Sequence, residues 1–177
     1  MRIRRAVSGL VLVLALAVAG GCRRHRTPRE TDAGAPLRFR SVVSMNDPRA
    51  AGQLLSGFHS VEAGAWRWTE RRFSLNLGRP PQADQKGATL SVKLTVPPVS
   101  IEKLKTLQLT ASVNGAALDP ETYTAPGDYV YRRVLPANLL GSDPVRVDFS
   151  LDKAIPPGNP DVRELGLVVL AIGLQSR

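Results

Sequence analysis

The sequence predicts an all-β protein built as a single antiparallel β-sandwich, and three observations lead to this fold class. Apolar and polar residues alternate along several short stretches, which is typical of strands that bury only one face. Clusters rich in glycine and proline separate these stretches, and the 177 residues include 15 Gly and 14 Pro. Helical periodicity is nearly absent, so we expect only short helical turns, near 100–105 and 136–140.

The chain begins with a segment typical of a cleaved secretory signal. Basic residues in Met1–Arg5 precede the uncharged apolar run Ala6–Ala19, and two glycines then lead to Cys22. A membrane-spanning helix needs about 20 apolar residues. The run is shorter and ends in small residues, so the sequence predicts a signal peptide over 1–21 rather than a membrane anchor.

The end of this segment, Val18-Ala19-Gly20-Gly21-Cys22, resembles the lipobox of bacterial lipoproteins, although that family prefers leucine where Ala19 stands. The resemblance implies that the Cys22 thiol is alkylated with diacylglycerol and that the bilayer is a partner through this lipid. Arg23 follows the cysteine instead of aspartate, which in that family favours the outer over the inner membrane. The alternative is an ordinary signal peptide with an incidental cysteine. Cys22 is the only cysteine, so it has no partner for an internal disulfide.

A basic tether follows, and together with the leader it accounts for most of the net charge of the chain. Residues 22–38 are polar, carry several arginines and offer no periodic apolar face, so we expect a disordered spacer. The formal net charge is +9, yet from Thr31 onward 17 Lys and Arg face 14 Asp and Glu. No basic stripe with interleaved aromatic residues occurs beyond the tether. Nucleic acid is therefore not an expected partner.

The β-sandwich is predicted over 39–177. Asn114-Gly115 is a favoured two-residue hairpin turn, and it follows directly on one alternating stretch. The run Leu165–Leu174 is apolar on both faces, as expected of a central strand covered on both sides. The alternating stretches are Phe73–Leu77, Leu90–Val96, Leu107–Val113 and Val145–Leu151, with a further strand around Val130–Val134.

The candidate ligand site is the segment that holds both tryptophans of the chain, Trp66 and Trp68. Two residues apart on a strand, they share a face while Arg67 points the other way. A sugar ring could stack on an indole while His59, Glu62 and Arg67 bind its hydroxyls. The alternative is that the tryptophans belong to the core and that Glu62 and Arg67 form a local ion pair.

Catalytic, metal and cofactor sites are not expected. Cys22 is committed to lipid, and His59 is the only histidine beyond the tether. No G-x-S-x-G elbow, C-x-x-C, H-E-x-x-H or phosphate-binding glycine loop occurs. Asp119, Glu121 and Asp128 lie in predicted loops without EF-hand spacing. We therefore expect no enzyme and no bound metal.

Three short motifs resemble a small jelly-roll domain found beside bacterial surface-glycan glycosyltransferases, which is itself similar to galactose-binding-like sandwiches. They are Trp66-Arg67-Trp68-Thr69, Asn114-Gly115 and Asp161–Leu167. The resemblance implies a non-catalytic sandwich in a cell-envelope or glycan context and supplies no ligand site. Asp161, Arg163 and Glu164 are expected to fix the entry to the last strand. The predicted function is a membrane-anchored, carbohydrate-recognition-like module; the alternative is a structural lipoprotein that binds other envelope proteins.

Overall fold

A computed structural model describes residues 38–141 and 143–177. The predicted signal peptide, the predicted lipidation site Cys22 and the predicted tether up to residue 37 lie outside the described residues. Within the two described ranges, no helix combines the length and apolarity needed to cross a membrane.

Nine strands and a few short helices make up this part of the chain. A 3₁₀ helix covers Pro48–Gln53, and the α-helices are α1 (Ala83–Lys86), α2 (Pro98–Leu104) and α3 (Ala137–Leu140). The strands are β1 (Val42–Ser44), β2 (Leu54–Phe58), β3 (Arg67–Leu77), β4 (Ala88–Val96), β5 (Leu107–Val113), β6 (Ala116–Tyr123), β7 (Gly127–Leu135), β8 (Val145–Leu151) and β9 (Val168–Ser176).

The strands form two antiparallel layers, here called the front and back sheets. The front sheet has the order β6-β5-β8-β3-β2, and the back sheet has the order β7-β4-β9 with β1 beside β9. Most successive strands lie in opposite sheets, as in a jelly roll. The protein is therefore an all-β, antiparallel sandwich, and the predicted fold class is confirmed.

The core lies between the sheets and follows from the alternation of apolar residues. Every second residue of β4, from Ala88 to Val96, is buried, and β5 and β8 show the same pattern. Phe73 and Phe149 stack on each other in this core, with ring centroids 4.8 Å apart and planes 13° apart. Their outward neighbours on β3, β8 and β5 are polar, so the front sheet has a hydrophilic outer face.

Strand β3 belongs to both sheets. Arg67 and Trp68 pair with β9 of the back sheet, whereas Arg72–Leu77 pair with β8 of the front sheet. The pairing of β3 with β2 is irregular on the other side, because its register shifts on both sides of Ser56. Gly57, with a φ of +74°, sits at the second shift and packs directly against the backbone of Arg72 and Phe73.

The predicted hairpin is present, and its asparagine also joins distant segments. Asn114 (φ +49°) and Gly115 (φ +86°) form a two-residue turn between β5 and β6, and positive φ at both positions is the signature of the favoured hairpin turn. The Asn114 amide donates to the carbonyls of Leu139 and Leu140, and its side-chain oxygen accepts from the backbone of Arg146. The turn thereby ties β5 to the start of β8.

The last strand matches its predicted position, with one difference. β9 is central, since β4 pairs along one side and β1 and β3 along the other. It is not fully covered, because Leu170 is 38% exposed. The register between β4 and β9 shifts after Lys93, which leaves Leu170 as an extra residue in the ladder.

Candidate functional site

The two tryptophans lie on one hairpin at the start of β3. Trp66 pairs with Glu62 across a tight turn in which Ala63 and Gly64 both have positive φ. The indoles contact each other edge to face, with centroids 6.4 Å apart and planes 80° apart, so they share a face as predicted. Both are half-buried. The structure therefore shows neither two fully buried core tryptophans nor a single exposed indole.

The two basic members of the predicted site are engaged with backbone. Arg67 donates from Nε to the carbonyl of Met45 and from Nη1 to the carbonyl of His59. His59 Nε2 lies 2.7 Å from the carbonyl oxygen of Glu164. These contacts hold the hairpin against β1 and against the loop before β9. A ligand at the tryptophan face would have to use the remaining donors of these side chains.

Glu62 is paired with Arg163 and not with Arg67, so the expected local ion pair is wrong. Arg163 Nη1 lies 2.6 Å from Glu62 Oε1, and its Nη2 lies 2.8 Å from Asp161 Oδ2. The hydrogen bonds from Arg163 hold the pKa of Asp161 down, to about 2. The partners Glu62 and Arg163 are 101 residues apart, a separation that local sequence patterns do not report. The ion pairs of Arg163 with Glu62 and Asp161 hold the loop before β9 against the tryptophan hairpin. This contact is in keeping with the structural role expected for Asp161 and Arg163.

A second candidate site, which the sequence did not predict, crosses the outer face of the front sheet. Five small or short side chains lie side by side on adjacent strands: Ser56 on β2, Ser74 on β3, Asp148 on β8, Ser112 on β5 and Ala117 on β6. Directly opposed residues of an antiparallel pair share a face. With strands about 4.8 Å apart, this row runs for roughly 19 Å.

This row is the floor of an open trough of about 500 Å³, called the serine trough below. Arg72, Ser150 and Thr110 line one long side, where Arg72 pairs with Ser150 and Ser150 with Thr110. Arg146 lines the other side. Arg72 and Arg146 are long side chains on opposite sides of a floor of short ones, and this difference in size contributes to the depression.

The trough offers both hydrogen-bond donors and acceptors to solvent. Arg146 binds Asp148 through Nε at 3.0 Å and Nη2 at 2.7 Å, yet both side chains stay well exposed. Ser74 is only 4% exposed, and its hydroxyl hydrogen-bonds to that of the exposed Ser56 at 2.9 Å, so Ser56 and the half-buried Ser112 are the floor serines that face solvent. A hydroxyl carries one donor and two acceptor positions, and an ionised carboxylate accepts only. The surface is therefore suited to a ligand rich in hydroxyl groups.

Metal ligation has no visible basis in residues 38–141 and 143–177, where no group of three or more histidine or carboxylate side chains could hold an ion. The expected loop position of Asp119, Glu121 and Asp128 is wrong, because the first two lie on β6 and the third on β7. Glu121 forms an ion pair with Arg133. Asp128 accepts a hydrogen bond from Thr95. The polar side chains of the serine trough can recognise a ligand by hydrogen bonds and charge.

No protein-family model matches the sequence, and no curated protein matches it either. Solved structures with a similar fold include an acetyl xylan esterase from the rumen bacterium Butyrivibrio proteoclasticus, at 11% identity and a TM-score of 0.47 over 77% of this chain. This chain spans 33% of that esterase. A family 35 carbohydrate-binding module from Clostridium thermocellum is similar at 12% identity and a TM-score of 0.45, over 76% of this chain and 98% of the module. None of these likenesses bears on the ligand of this chain.

Proposed function

We propose that the protein is a lipid-anchored, non-catalytic module that binds carbohydrate in the serine trough. The observation that carries the proposal is the row of serine hydroxyls and one carboxylate that crosses the front sheet between two arginines. Sugar hydroxyls both donate and accept hydrogen bonds, and this lining supplies partners for both roles. The half-buried tryptophan face offers a second contact to a sugar ring.

The trough is also suited to recognition because its base is rigid. Its floor residues stand on paired strands, directly above a core that includes the stacked rings of Phe73 and Phe149. Sites placed on strands hold their polar groups more precisely than sites placed on loops. Binding would therefore require little ordering of the protein, which lowers its entropic cost.

Filling the trough is expected to abolish carbohydrate binding. Isoleucine at Ser112 would occupy the floor with a side chain that suits a strand but neither donates nor accepts hydrogen bonds. The matched control is Ser91→Ile, because Ser91 is also a half-buried, outward serine but lies on β4 of the back sheet. The full chain, solubilised in mild detergent, is run through gels containing a panel of neutral and acidic polysaccharides.

We expect retardation of the unaltered chain and of Ser91→Ile by at least one polysaccharide, with affinity lower by roughly tenfold or more in Ser112→Ile, a difference of about 1.4 kcal/mol. Two results would overturn the proposal. The first is that no polysaccharide on the panel retards the chain. The second is that both isoleucine variants bind as the unaltered chain does.

The anchor is the second part of the proposal, and it rests on the lipobox resemblance at Cys22. One acyl chain anchors a protein only marginally, whereas two or more hold it durably. Arginines after the cysteine add attraction to anionic headgroups, at about 1 kcal/mol each near the surface. The lipid anchor would thereby keep the domain close to the membrane surface. Arg23 favours the outer membrane.

Labelled palmitate is expected to enter the unaltered chain in bacterial cells and not the Cys22→Ser variant. Mass spectrometry of the amino-terminal peptide should find diacylglycerol in thioether linkage to Cys22. The double variant Cys22→Ser with Ser56→Cys, whose one thiol lies 34 residues along the chain from the lipobox cysteine, serves as the control for nonspecific labelling. A mature protein with a free thiol at Cys22 would contradict this prediction.

A role in assembly with other envelope proteins is the second candidate, and one observation favours it. β7 is an edge strand of the back sheet, and it exposes Val130 (42%) and Val134 (58%) on its outer side. An exposed edge with apolar side chains can pair with another chain. Loss of co-purifying envelope proteins in Val134→Lys, together with unchanged co-purification in Ser112→Ile, would favour assembly over carbohydrate binding.

A further inference from the structure

Three charged side chains line the serine trough, and two of them neutralise each other. Asp148 receives three hydrogen bonds from Arg146, at 2.7–3.0 Å. The third, Arg72, is exposed and pairs with no carboxylate in residues 38–141 and 143–177. The lining therefore carries an excess of positive charge, located at Arg72.

The antiparallel pairing of β3 and β8 places the two arginines on opposite sides of the floor. Arg72 precedes Ser74 by two residues, and Arg146 precedes Asp148 by two, but the strands run in opposite directions. Arg72 therefore lies in the row of Ser150, whereas Arg146 lies in the row of Asn76. These rows are four residues apart along the strand, or roughly 13 Å. A chain-like ligand on the floor would meet Arg72 on one side and the Arg146–Asp148 ion pair on the other.

No carboxylate of the described residues forms an ion pair with Arg72, although Glu70 precedes it by two residues and so lies on the same face of β3. The next carboxylate along β8 beyond Ser150 is Asp152, which accepts a hydrogen bond from the backbone of Gln108 and lies 3.9 Å from Lys153. Arg71 is directed away, because its Nε donates to the carbonyl of Leu151. A guanidinium at such a position binds carboxylate or phosphate through two parallel hydrogen bonds.

We propose that the serine trough selects anionic glycans, with Arg72 binding a carboxylate or phosphate group on the sugar. This inference rests on the proposed function and names the ligand class of the same site. The hydroxyls of the ligand would meet the serines and the outer lone pairs of Asp148. Arg146 keeps Asp148 from repelling the anion, because it neutralises that carboxylate at close range.

The test compares an acidic glycan with its closest neutral counterpart. Titration calorimetry on the full chain in detergent uses oligogalacturonate and, as the neutral match, oligogalactose of the same length; inorganic phosphate is added as competitor in a further arm. We expect at least tenfold tighter binding of the acidic glycan, and we expect this preference to shrink with added salt, since exposed charges are screened. Competition by phosphate would show that a phosphate group can occupy the Arg72 position.

Arg72→Gln is expected to reduce the ratio of the two affinities to about one, since it removes the charge and the paired donors. Arg132→Gln is the control, because Arg132 is an equally exposed arginine on β7 of the back sheet. Equal binding of both glycans by the unaltered chain, or an unchanged ratio in Arg72→Gln, would overturn the anionic preference alone. Absence of binding to either glycan would count against the proposed function itself.

Discussion

Replacing Gly57 with alanine is expected to lower the free energy of unfolding by more than about 3 kcal/mol, from backbone strain together with overpacking. Gly57 has a φ of +74°, which L side chains rarely adopt. A Cβ at this position would also lie 2.7 Å from Cα of Phe73 and still closer to the carbonyl oxygen of Arg72. Relief would require β2 to move away from β3, and with it one end of the serine trough.

Gly64→Ala separates the two causes. Gly64 also has a positive φ, of +62°, but a Cβ there would meet no atom within 4 Å. Its substitution should cost only the strain of the backbone, about 1 kcal/mol. Urea unfolding followed by far-ultraviolet circular dichroism measures both variants. Equal losses in the two would show that the close approach of β2 to β3 is not tight in solution.

Phe149→Ala is expected to lower the free energy of unfolding by about 3–5 kcal/mol, the usual range for removing a buried phenyl ring. Phe149 is 2% exposed and stacks on Phe73, which is 1% exposed. The cavity would open beneath the floor of the serine trough, between Asp148 and Ser150. Loss of glycan affinity in this variant, beyond the loss of folded protein, would indicate that the core fixes the trough.

Val134→Ala is the matched control for this core substitution. It also shortens an apolar side chain on a strand, but Val134 is 58% exposed. Its effect should stay within about 0.5 kcal/mol. The same urea titration gives both values. A loss in Phe149→Ala no larger than in the control would contradict the assignment of Phe149 to the core.

Strands that bury one face regularly could be predicted from the sequence. β4, β5 and β8 alternate strictly, and their buried residues are those expected from the pattern. The Asn114-Gly115 turn was equally clear, since few other pairs accept positive φ twice. β1 and β2 could not be predicted in this way. β1 has three residues, and β2 follows an irregular register that breaks the alternation.

The serine trough could not be predicted, although the outward residues of each strand could. Ser74, Ser112 and Asp148 all occupy polar positions of alternating stretches, which was the available signal. Their side-by-side placement depends on the strand order β5-β8-β3, which joins segments far apart in the chain. The same holds for Glu62 and Arg163, whose contact exists only because the hairpin before β3 meets the loop before β9.

The sharing of β3 between the two sheets has a practical consequence for spectroscopy. Both tryptophans of the chain lie on the hairpin that opens this strand, and Arg72 of the serine trough follows Trp68 by four residues. Tryptophan fluorescence therefore reports on one location, the hairpin before β3, where a single strand joins the front and back sheets. A shift in that emission on adding a glycan would register occupancy without any attached dye.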